Sequence, residues 1–427
     1  MHPLLRLPYA ATAALADAIA RLPLRGDGKV VRSLRARRDA LNLLERWGRA
    51  HRDPARPLLW MHAPSVGEGL QARPVLERLR ERHPEWQLLY TFFSPSAERF
   101  AEQLNVDGRG YLPFDRLTHA TELLDAIRPT ALVFAKLDVW PVLAEVAAAR
   151  GIRTGIISAT MSEGSGRRGA LAQALTREAF GALSAVGAID AADGDRLSRV
   201  GVPAARITIT GDTRYDQVAA RAADATRRAP IVTTLRSPRP TLVAGSTWPA
   251  DERVLLPAWR ALKVAVPEAR LIIAPHEPTA AHLARIETWA AESNLSLSRL
   301  GAARATHDVV LVDRVGVLGD LYALADVAFV GGGFHTAGLH SVLEPASFGV
   351  PVLFGPRHHA SRDARLLYES NAGQPVHDTP ALVRALRILF TEPDTRARAG
   401  DAALATVRAG LGAAERSVEL IERLVVG

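Results

Sequence analysis

The chain has 427 residues, of which 48% are hydrophobic and 23% charged, as is usual for a globular protein. This length is too great for one compact core and predicts two domains of roughly 200 residues each. The absence of cysteine excludes disulfides, thiolate-bound zinc, iron–sulfur clusters and a cysteine nucleophile.

The net charge of +8 is concentrated at the amino terminus. Residues 1–56 contain twelve Lys and Arg against five Asp and Glu, which leaves the rest of the chain nearly neutral. A basic segment next to a neutral remainder indicates a local anionic surface as partner. The near-zero charge beyond residue 57 and the aromatic content of 6% argue against nucleic acid as a partner.

Residues 1–56 are predicted to form a basic, amphipathic segment that associates with a membrane. Its first apolar stretch is interrupted by Arg6, Asp17 and Arg21, which argues against a spanning helix and a signal peptide. The side chains expected to face lipid are Leu4, Leu5, Leu7, Leu15, Ile19 and Leu22, and those expected to meet anionic headgroups are Arg32, Arg35, Arg37 and Arg38. The alternative is a helix packed on its own domain, with solvated arginines.

Short apolar runs then alternate with helical stretches, which predicts parallel sheets. The predicted strands are 58–63, 87–93, 131–135, 154–160, 185–189 and 206–210 in the first half, and 241–246, 270–275, 309–313, 327–333 and 351–355 in the second. We therefore predict an α/β protein of two doubly wound, Rossmann-like domains, 57–226 and 241–427, joined by a linker at 227–240. The final helix is expected to pack back on the first domain. Ligands bind such sheets at the carboxyl ends of strands.

The first candidate site follows strand 58–63, in the segment Ser65-Val66-Gly67-Glu68. Glycine allows a ligand to approach the backbone, and the start of a helix offers unpaired N–H groups. A carboxylate at Glu68 can act as general base for a hydroxyl nucleophile. The alternative is a glutamate that only caps the helix, favoured by the helix dipole.

The second candidate site follows strand 131–135, where Lys136, Asp138 and Trp140 lie in sequence. A charged pair just beyond a buried strand can hold an anionic substrate or orient a base. The alternative is an exposed salt bridge with Trp140 packed beneath it.

The third candidate site lies in 325–356, where a strand ends in Gly331-Gly332-Gly333 and a helix containing Glu344 is predicted to follow. A glycine-rich turn before a helix suits phosphate oxygens. Glu344, one to two turns into that helix, is placed to accept hydrogen bonds from both ribose hydroxyls. The GxGxxG and GxxxxGK[ST] fingerprints are both absent, which excludes the common dinucleotide and ATP-hydrolysing loops.

Shorter motifs flank these sites. AGSTW (244–248) and APHEP (274–278) end strands of the second domain, where a donor nucleotide is expected to contact them, and GDTRYD (211–216) ends the last strand of the first. His358 and His359 are adjacent, but no further ligand stands at metal-binding spacing, so no metal site is predicted.

Taken together, the motifs resemble those of the 3-deoxy-D-manno-octulosonic acid (Kdo) transferases, inverting glycosyltransferases of family 30 with the GT-B fold, in which two Rossmann-like domains face a central cleft. The motifs occur in the family's order over roughly residues 30 to 420. They are HAPSVGEG (62–69), FFSPSAERF (92–100), YLPFD (111–115), FAKLDVWP (134–141), GDTRYD, AGSTW, APHEP and GGGFHTAGLHSVLEPASFGVPVLFGP (331–356).

The resemblance implies transfer of Kdo from CMP-Kdo to a hydroxyl of a lipid A precursor, lipid IVA, with release of CMP and without metal or cofactor. It implies a location on the cytoplasmic face of the inner membrane. Glu68 matches the catalytic carboxylate, and Glu344 matches the glutamate that holds the ribose. Asp138, also expected to be catalytic, stands where many members have Glu. The other residues expected at the substrate are Ser65, Gly67, Lys136, Arg214, Ser246, Thr247, His276, Gly332, Gly333, His340, Ser341 and Arg357.

Two positions depart from the commonest pattern of the family. Lys136 stands where many members have Glu, although other members share the Lys, and His276 stands where many have Arg. Arg357 is therefore expected to share the binding of phosphate. The alternatives are another GT-B transferase or epimerase that uses a UDP-sugar, and a non-catalytic membrane-associated protein with this fold; the presence of both Glu68 and Glu344 argues against the latter.

Overall fold

The apolar runs of the sequence form two parallel sheets in the structure, a computed structural model that describes residues 1–26, 28–162, 165–228 and 230–426. The chain divides into two compact units. The first unit comprises 1–217 together with 411–426, and the second comprises 218–410. The α/β class with two Rossmann-like domains is thereby confirmed.

The first unit is built on a seven-stranded parallel sheet in the order β3-β2-β1-β4-β5-β6-β7. Its strands are β1 (Leu58–His62), β2 (Gln87–Phe92), β3 (Gly108–Tyr111), β4 (Ala131–Ala135), β5 (Arg153–Ala159), β6 (Ala185–Ala188) and β7 (Ile207–Ile209). Its helices up to the unit boundary are α1 (Pro3–Arg21), α2 (Lys29–Arg37), α3 (Ala40–His51), α4 (Val66–Arg82), α5 (Glu98–Glu102), α6 (Leu117–Ile127), α7 (Pro141–Ala149), α8 (Ala170–Ala182), α9 (Ala191–Arg199) and the start of α10 (Arg214–Arg228).

The second unit is built on another seven-stranded parallel sheet, in the order β10-β11-β9-β8-β12-β13-β14. Its strands are β8 (Thr241–Thr247), β9 (Arg270–Pro275), β10 (Leu297–Arg299), β11 (Val309–Leu311), β12 (Val327–Val330), β13 (Val352–Phe354) and β14 (Gly373–Pro375). After α10 its helices are α11 (Pro230–Leu235), α12 (Pro249–Ala265), α13 (Ala280–Glu292), α14 (Leu318–Leu321), α15 (Leu343–Ala346), α16 (Arg362–Glu369), α17 (Thr379–Thr391) and α18 (Pro393–Ala409); α19 (Ala413–Val426) returns to the first unit.

Each sheet has a switch point, which is the place where the strand order reverses direction. In the first unit this point lies between β1 and β4, which pair in parallel, and in the second it lies between β8 and β12. The loops that leave the two central strands diverge there and open a crevice at their carboxyl ends. The first and second candidate sites meet at one switch point, and the third candidate site and AGSTW meet at the other.

The central strands are buried on both faces, because helices cover each side of the sheet. Trp60 and Phe134 point to one face of the first sheet, and Met61 and Val133 point to the other, as the two-residue repeat of a strand requires. Helix α19 contributes Val418, Ile421 and Leu424 to the second of these cores. Asp216 holds the start of α19 by accepting hydrogen bonds from the N–H groups of Gly412 and Ala414, at 3.0 and 2.9 Å.

The segment 227–240, expected as a linker, differs from that expectation. The boundary between the units lies at residues 217 and 218, inside α10, and α11 occupies much of the expected linker. Val232 and Leu235 of α11 are fully buried in the second unit, which gives the segment a packing role. Ala229 lies outside the described residues.

Residues 3–21 form the amphipathic helix predicted at the amino terminus. Leu4, Leu7 and Leu15 on it are between 61% and 83% exposed, and Leu22 just beyond its end is 55% exposed, whereas Leu5 and Ile19 are half-buried against the first unit. Within the described residues, no helix combines the length and the apolar character needed to cross a bilayer.

The arginines that follow α1 are engaged by the protein to different degrees. Arg37, predicted to meet anionic headgroups, is buried instead and donates to the carbonyls of Leu112 and Pro113 at 2.9 and 2.8 Å. That prediction was wrong for this side chain. Arg35 and Arg38 are exposed: Arg35 donates to the carbonyls of Leu24 and Gly26, and Arg38 donates to those of Arg21 and Leu22 at the end of α1. Arg32 is exposed on α2.

Candidate active site

Glu68 stands at the first switch point, in the first turn of α4. Its Oε2 accepts a hydrogen bond from the Ser65 hydroxyl, and its Oε1 accepts one from Lys136 Nζ at 3.4 Å. Ser65 is the residue before the helix, and its side chain binds Glu68 instead of capping a helix N–H. The first and second candidate sites therefore form one cluster, in which both oxygens of a half-buried carboxylate are held.

The backbone around Glu68 has little freedom to shift. A side chain at Gly69 would collide with the Phe100 ring at 2.5 Å and with the Tyr90 hydroxyl at 2.8 Å, so only glycine allows α4 to lie this close to β2. Gly67 differs: it is exposed, and a side chain there would meet only Ser65 Oγ, at 3.8 Å. The open surface over Gly67 leaves room for a ligand beside the carboxylate.

Lys136 has a left-handed backbone, with φ of 63°, directly after β4. Such a conformation is uncommon for a residue with a side chain and is often found at functional sites. Its N–H donates to the carbonyl of Ile157 on β5, which fixes the turn that aims the ammonium group toward Glu68.

Asp138 lies in the same loop and has three polar neighbours. Its Oδ2 lies 3.4 Å from His62 Nε2 and accepts from the Trp140 indole N–H at 3.2 Å, and Arg167 lies 3.6 Å from Oδ1. Burial raises the pKa of Asp138, but the hydrogen bond with His62 and the charges of His62 and Arg167 outweigh it and hold that pKa below its ordinary value. Asp138 is therefore ionised at neutral pH.

His62 was not singled out by the sequence analysis, although it begins the first family motif. It is fully buried at the end of β1, and its Nδ1 lies 3.0 Å from the Thr91 hydroxyl. This contact orients the ring so that Nε2 points to Asp138. Only the pairing of β1 with β2 brings Thr91 into place, and a single motif does not reveal that pairing.

Arg214 begins α10 after β7. Its guanidinium donates to Oδ2 of the buried Asp212 at 2.8 and 2.6 Å. The neighbouring Thr213 donates to the carbonyl of Gln71 on α4 at 2.8 Å. These contacts attach the GDTRYD motif to the helix that carries Glu68.

The glycine-rich turn lies at the second switch point. Cβ atoms at Gly331, Gly332 and Gly333 would lie between 2.1 and 2.5 Å from backbone atoms of neighbouring loops. Asp251, fully buried on α12, accepts from the N–H groups of Gly332 and Phe334 at 2.8 and 3.0 Å. Asp251 was not predicted from the sequence; its position four residues after Thr247, in the first turn of a helix, was the available signal.

Ser246 and Thr247 end β8 beside this turn. Ser246 has a left-handed backbone, with φ of 53°, and is half-buried. Thr247 is fully buried, and its hydroxyl donates to Glu252 at 2.9 Å. The structure therefore places Thr247 under the site, with its hydroxyl bonded within the protein.

Three imidazoles surround Trp248 next to the glycine-rich turn. The His335 and His276 rings stack on the indole, with centroids 4.3 and 4.7 Å away, and the indole N–H donates to His340 Nε2 at 3.0 Å. Burial, together with the charges of His276 and His335, lowers the pKa of His340 to about 4. His335 is a further site residue that the sequence analysis did not single out.

The helix that carries Glu344 is shorter than predicted. Glu344 was predicted to lie one to two turns into a helix, but α15 spans only Leu343–Ala346, and Glu344 is its second residue. A helix of one turn does not supply the row of amides expected for phosphate. Glu344 is half-buried; burial and the charge of Asp320 raise its pKa, and the charge of Arg221 opposes them.

Ser341 precedes α15 in the sequence and Arg357 follows it, and both side chains are exposed. The Arg357 N–H donates to the Gly333 carbonyl at 3.0 Å, which places this arginine at the glycine-rich turn. Over the described residues, no three His, Asp or Glu side chains are grouped so that they could hold a metal ion.

Comparisons with known proteins agree with the sequence motifs. A family model described as 3-deoxy-D-manno-octulosonic-acid transferase (kdotransferase) matches residues 42–217. The 3-deoxy-D-manno-octulosonic acid transferase of Bordetella pertussis is 32% identical over 397 residues, covering 88% of this chain and 90% of the relative. The transferase of the same name from Haemophilus influenzae is 27% identical over 376 residues, covering 85% and 86%.

A solved structure shows the same architecture at low sequence identity. The UDP-GlcNAc 2-epimerase of Neisseria meningitidis superposes with a TM-score of 0.65 at 13% identity, covering 86% of this chain and 100% of the epimerase. At this identity the likeness concerns the fold alone, and it confirms the GT-B architecture that the motifs implied.

Proposed function

The chain belongs to the family of 3-deoxy-D-manno-octulosonic-acid transferases, and from that premise we propose its donor, its acceptor and the residues that it uses. As a glycosyltransferase of lipopolysaccharide biosynthesis, it takes Kdo from CMP-Kdo and transfers it to a hydroxyl of a phosphorylated lipid A precursor, lipid IVA, with inversion and release of CMP. The arrangement of Glu68 at the first switch point carries this proposal.

Glu68 is the general base for the acceptor hydroxyl. Ser65 holds Oε2, so Oε1 faces the side on which Lys136 lies, and an acceptor hydroxyl that reaches Oε1 replaces or shares the weak contact at 3.4 Å. The carboxylate takes the hydroxyl proton as the oxygen attacks the sugar. The ammonium group of Lys136 stays close and offsets negative charge on the acceptor.

Asp138 supplies a second negative charge in the same crevice. Glycosyl transfer passes through a transition state in which the sugar ring gains positive charge. The ionised Asp138, held by Trp140 and His62, stabilises that charge without moving. Arg214, held by Asp212, presents a cation to the anionic groups of the acceptor.

The second unit binds the donor. Glu344 accepts hydrogen bonds from the ribose hydroxyls, and the turn at Gly332 and Gly333 receives the nucleotide phosphate, together with Ser246, Ser341 and Arg357. His276 and His340 line the same turn; Nε2 of His340 accepts from the Trp248 indole, so its Nδ1–H is the group that donates to phosphate oxygens. We propose that these groups meet the charge of departing CMP without a metal ion or cofactor.

The protein lies on the cytoplasmic face of the inner membrane through α1. This proposal is supported by the exposed Leu4, Leu7, Leu15 and Leu22 and by the exposed Arg32 nearby. The test is sedimentation with vesicles of phosphatidylglycerol and phosphatidylethanolamine. The double variant Leu4→Asp/Leu15→Asp should be lost from the pellet, whereas Val264→Asp, at a residue 84% exposed on the second unit, should sediment like the wild type.

The reaction is tested with purified protein, fresh CMP-Kdo and a tetraacylated lipid A precursor, followed by mass spectrometry. We expect the acceptor to gain the mass of one or more Kdo units, and this gain to be lost in Glu68→Gln. Saturable CMP binding without a gain would retain the donor and reject the acceptor. Binding of UDP instead of CMP would favour a UDP-sugar enzyme, and binding of neither would contradict the proposal.

A further inference from the structure

An apolar groove runs beside α1 in the first unit, and neither the base nor the donor site uses it. Its volume is about 600 Å³, within the range of roughly 300–1,000 Å³ that small-molecule sites occupy. Leu7 and Ala11 of α1 form one wall, Leu117 of α6 forms another, and Val142 and Val146 of α7 form the third. Leu7 and Leu117 are 83% and 66% exposed, so the groove is open at the surface.

The polar groups that line the groove are bonded to one another. Asp115 accepts from the Tyr9 hydroxyl at 2.7 Å and from the N–H groups of Val142 and Leu143 at 2.9 Å each. Arg6 lies 3.6 Å from Glu145, so the negative charge of Glu145 also has a partner. Because these polar atoms already have partners, the groove favours an apolar occupant.

The groove and the candidate active site both adjoin helix α7. This helix begins at Pro141, directly after Trp140, whose indole donates to Asp138. Asp115 holds the first N–H groups of α7, and Val142 lies in the wall of the groove. The apolar wall at Val142 therefore begins four residues after Asp138 in the chain, so the site and the groove share the start of α7.

We infer that this groove binds an acyl chain of the lipid acceptor and so aligns the reacting hydroxyl with Glu68. The inference rests on the proposed function, because it takes the acceptor to be an acylated, anionic glycolipid. Arg6 and Arg116 lie at the lining of the groove and pair with Glu145 and Asp17, so the negative charge of these two carboxylates is offset beside an anionic acceptor. Specificity for acylated acceptors is then a property of the first unit alone.

The test places a charge in the groove without disturbing the fold. Leu117 is the first residue of α6, where an aspartate is favourable to the helix, and Leu117→Asp puts its carboxylate in the groove. The matched control is Leu171→Asp: Leu171 is also 66% exposed and is the second residue of α8, outside the groove. A second pair of variants tests whether filling the groove with a bulky side chain has the same effect as placing a charge in it. Ala11→Phe fills the groove, and Ala18→Phe, beyond the groove on α1, is the control.

Two readouts are compared in detergent: the KM for a tetraacylated acceptor and the KM for the same acceptor after complete deacylation. Leu117→Asp and Ala11→Phe should raise the first KM about tenfold or more, and leave the second KM and the affinity for CMP unchanged. The controls should match the wild type. The same relative change in KM for both acceptors, or no change for either, in the groove variants would overturn the inference while leaving the proposed function intact.

Direct binding of the tetraacylated acceptor in the absence of donor separates the two proposals further. If wild-type protein binds it and Leu117→Asp does not, the groove is an acyl-chain site even where no Kdo is transferred. If Leu117→Asp loses only sedimentation with acceptor-free vesicles, the groove holds bulk membrane lipid and the inference fails. It also fails if the variant changes only the oligomeric state in light scattering, since the occupant is then a second copy.

Discussion

Lys136 Nζ lies 3.4 Å from Glu68 Oε1, although the two residues are 68 positions apart. They meet because β1 and β4 are neighbours in the sheet, so the loops that leave both strands begin at the same edge. A carboxylate at the start of a helix is common, but one held by a hydroxyl on one oxygen and an ammonium group on the other has a fixed orientation. That orientation is what a base needs in order to meet a hydroxyl.

Replacing the carboxylate at this position should separate binding from reaction. Glu68→Gln keeps the shape: its amide oxygen can accept from Lys136 and its NH2 group can donate to the Ser65 hydroxyl, but an amide does not take up the proton. We expect the rate of transfer to fall roughly 100- to 10,000-fold, while calorimetry finds an unchanged affinity for CMP. Glu81→Gln, exposed on the same helix, is the control. A Glu68→Gln enzyme with normal turnover would assign the base elsewhere.

Glu344 should matter for the nucleotide and not for the acceptor. Glu344→Gln weakens the acceptance of two ribose hydroxyl hydrogen bonds, and we expect the affinity for CMP to fall by about 1–3 kcal/mol. Calorimetry with CMP measures this change. Glu369→Gln, an exposed carboxylate at the end of α16, should bind CMP like the wild type. Equal affinities for the two variants would remove Glu344 from the ribose.

Arg37 should contribute to stability and not to the membrane surface. Its guanidinium lies 4.1 Å from the ring centres of both Phe93 and Phe114 and donates to two carbonyls. Arg37→Met leaves those carbonyls without their donor, and we expect urea denaturation to show a loss of about 2–4 kcal/mol in the free energy of unfolding.

Arg32→Met is the matched control for Arg37, because Arg32 is exposed on the same helix. It should leave the free energy of unfolding unchanged and weaken sedimentation with anionic vesicles. A stable Arg37→Met protein that no longer sediments would contradict the structural role of Arg37.

The pKa of His340 predicts a dependence of stability on pH. Its folded pKa is about 4, below the ordinary value of 6.5, so the unfolded chain binds a proton at a pH where the folded protein does not. The contribution of His340 to stability is complete above pH 6.5, decreases as the pH falls from there, and is lost at about pH 4. NMR titration of the His340 ring should give its pKa directly.

His340→Gln provides the test of that linkage, since it cannot gain a proton. The difference in stability between this variant and the wild type should shrink as the pH falls from 6.5 to 4. His276, His335 and Trp248 face the ring and remain in both proteins. A difference that is constant over this range would show that His340 titrates normally.

The interior of each sheet was predictable from the sequence, and several of its edges were not. Strands β3, β10 and β14 were missed, and all three lie at the edge of a sheet. An edge strand pairs on one side only and is short here, so it needs no continuous apolar run. The buried strands between the edges need one, and their predicted positions were confirmed.

Within the site, residues that come directly after a strand were predictable, whereas contacts that depend on a distant partner were not. Glu68 and Lys136 were found because each lies just beyond a buried strand. Arg37 was wrongly assigned to headgroups, because its charge is visible in the sequence and its aromatic neighbours are not. The helix around Glu344 was predicted too long: Pro345 fits only a first turn, and Gly349, with φ of 70°, lies where a left-handed residue ends a helix.

The return of α19 to the first unit has a consequence for biosynthesis. The second unit is continuous in sequence and leaves the ribosome complete once Gly410 has emerged. The first unit, although most of it is made earlier, lacks Val418, Ile421 and Leu424 of its own core until residues 418–424 have been synthesised. At roughly 5–20 residues per second, the chain between residues 217 and 424 takes on the order of 10–40 s to synthesise. During that interval the core of the first unit stays open on one face. The second unit, although its synthesis begins later, can therefore be completed first.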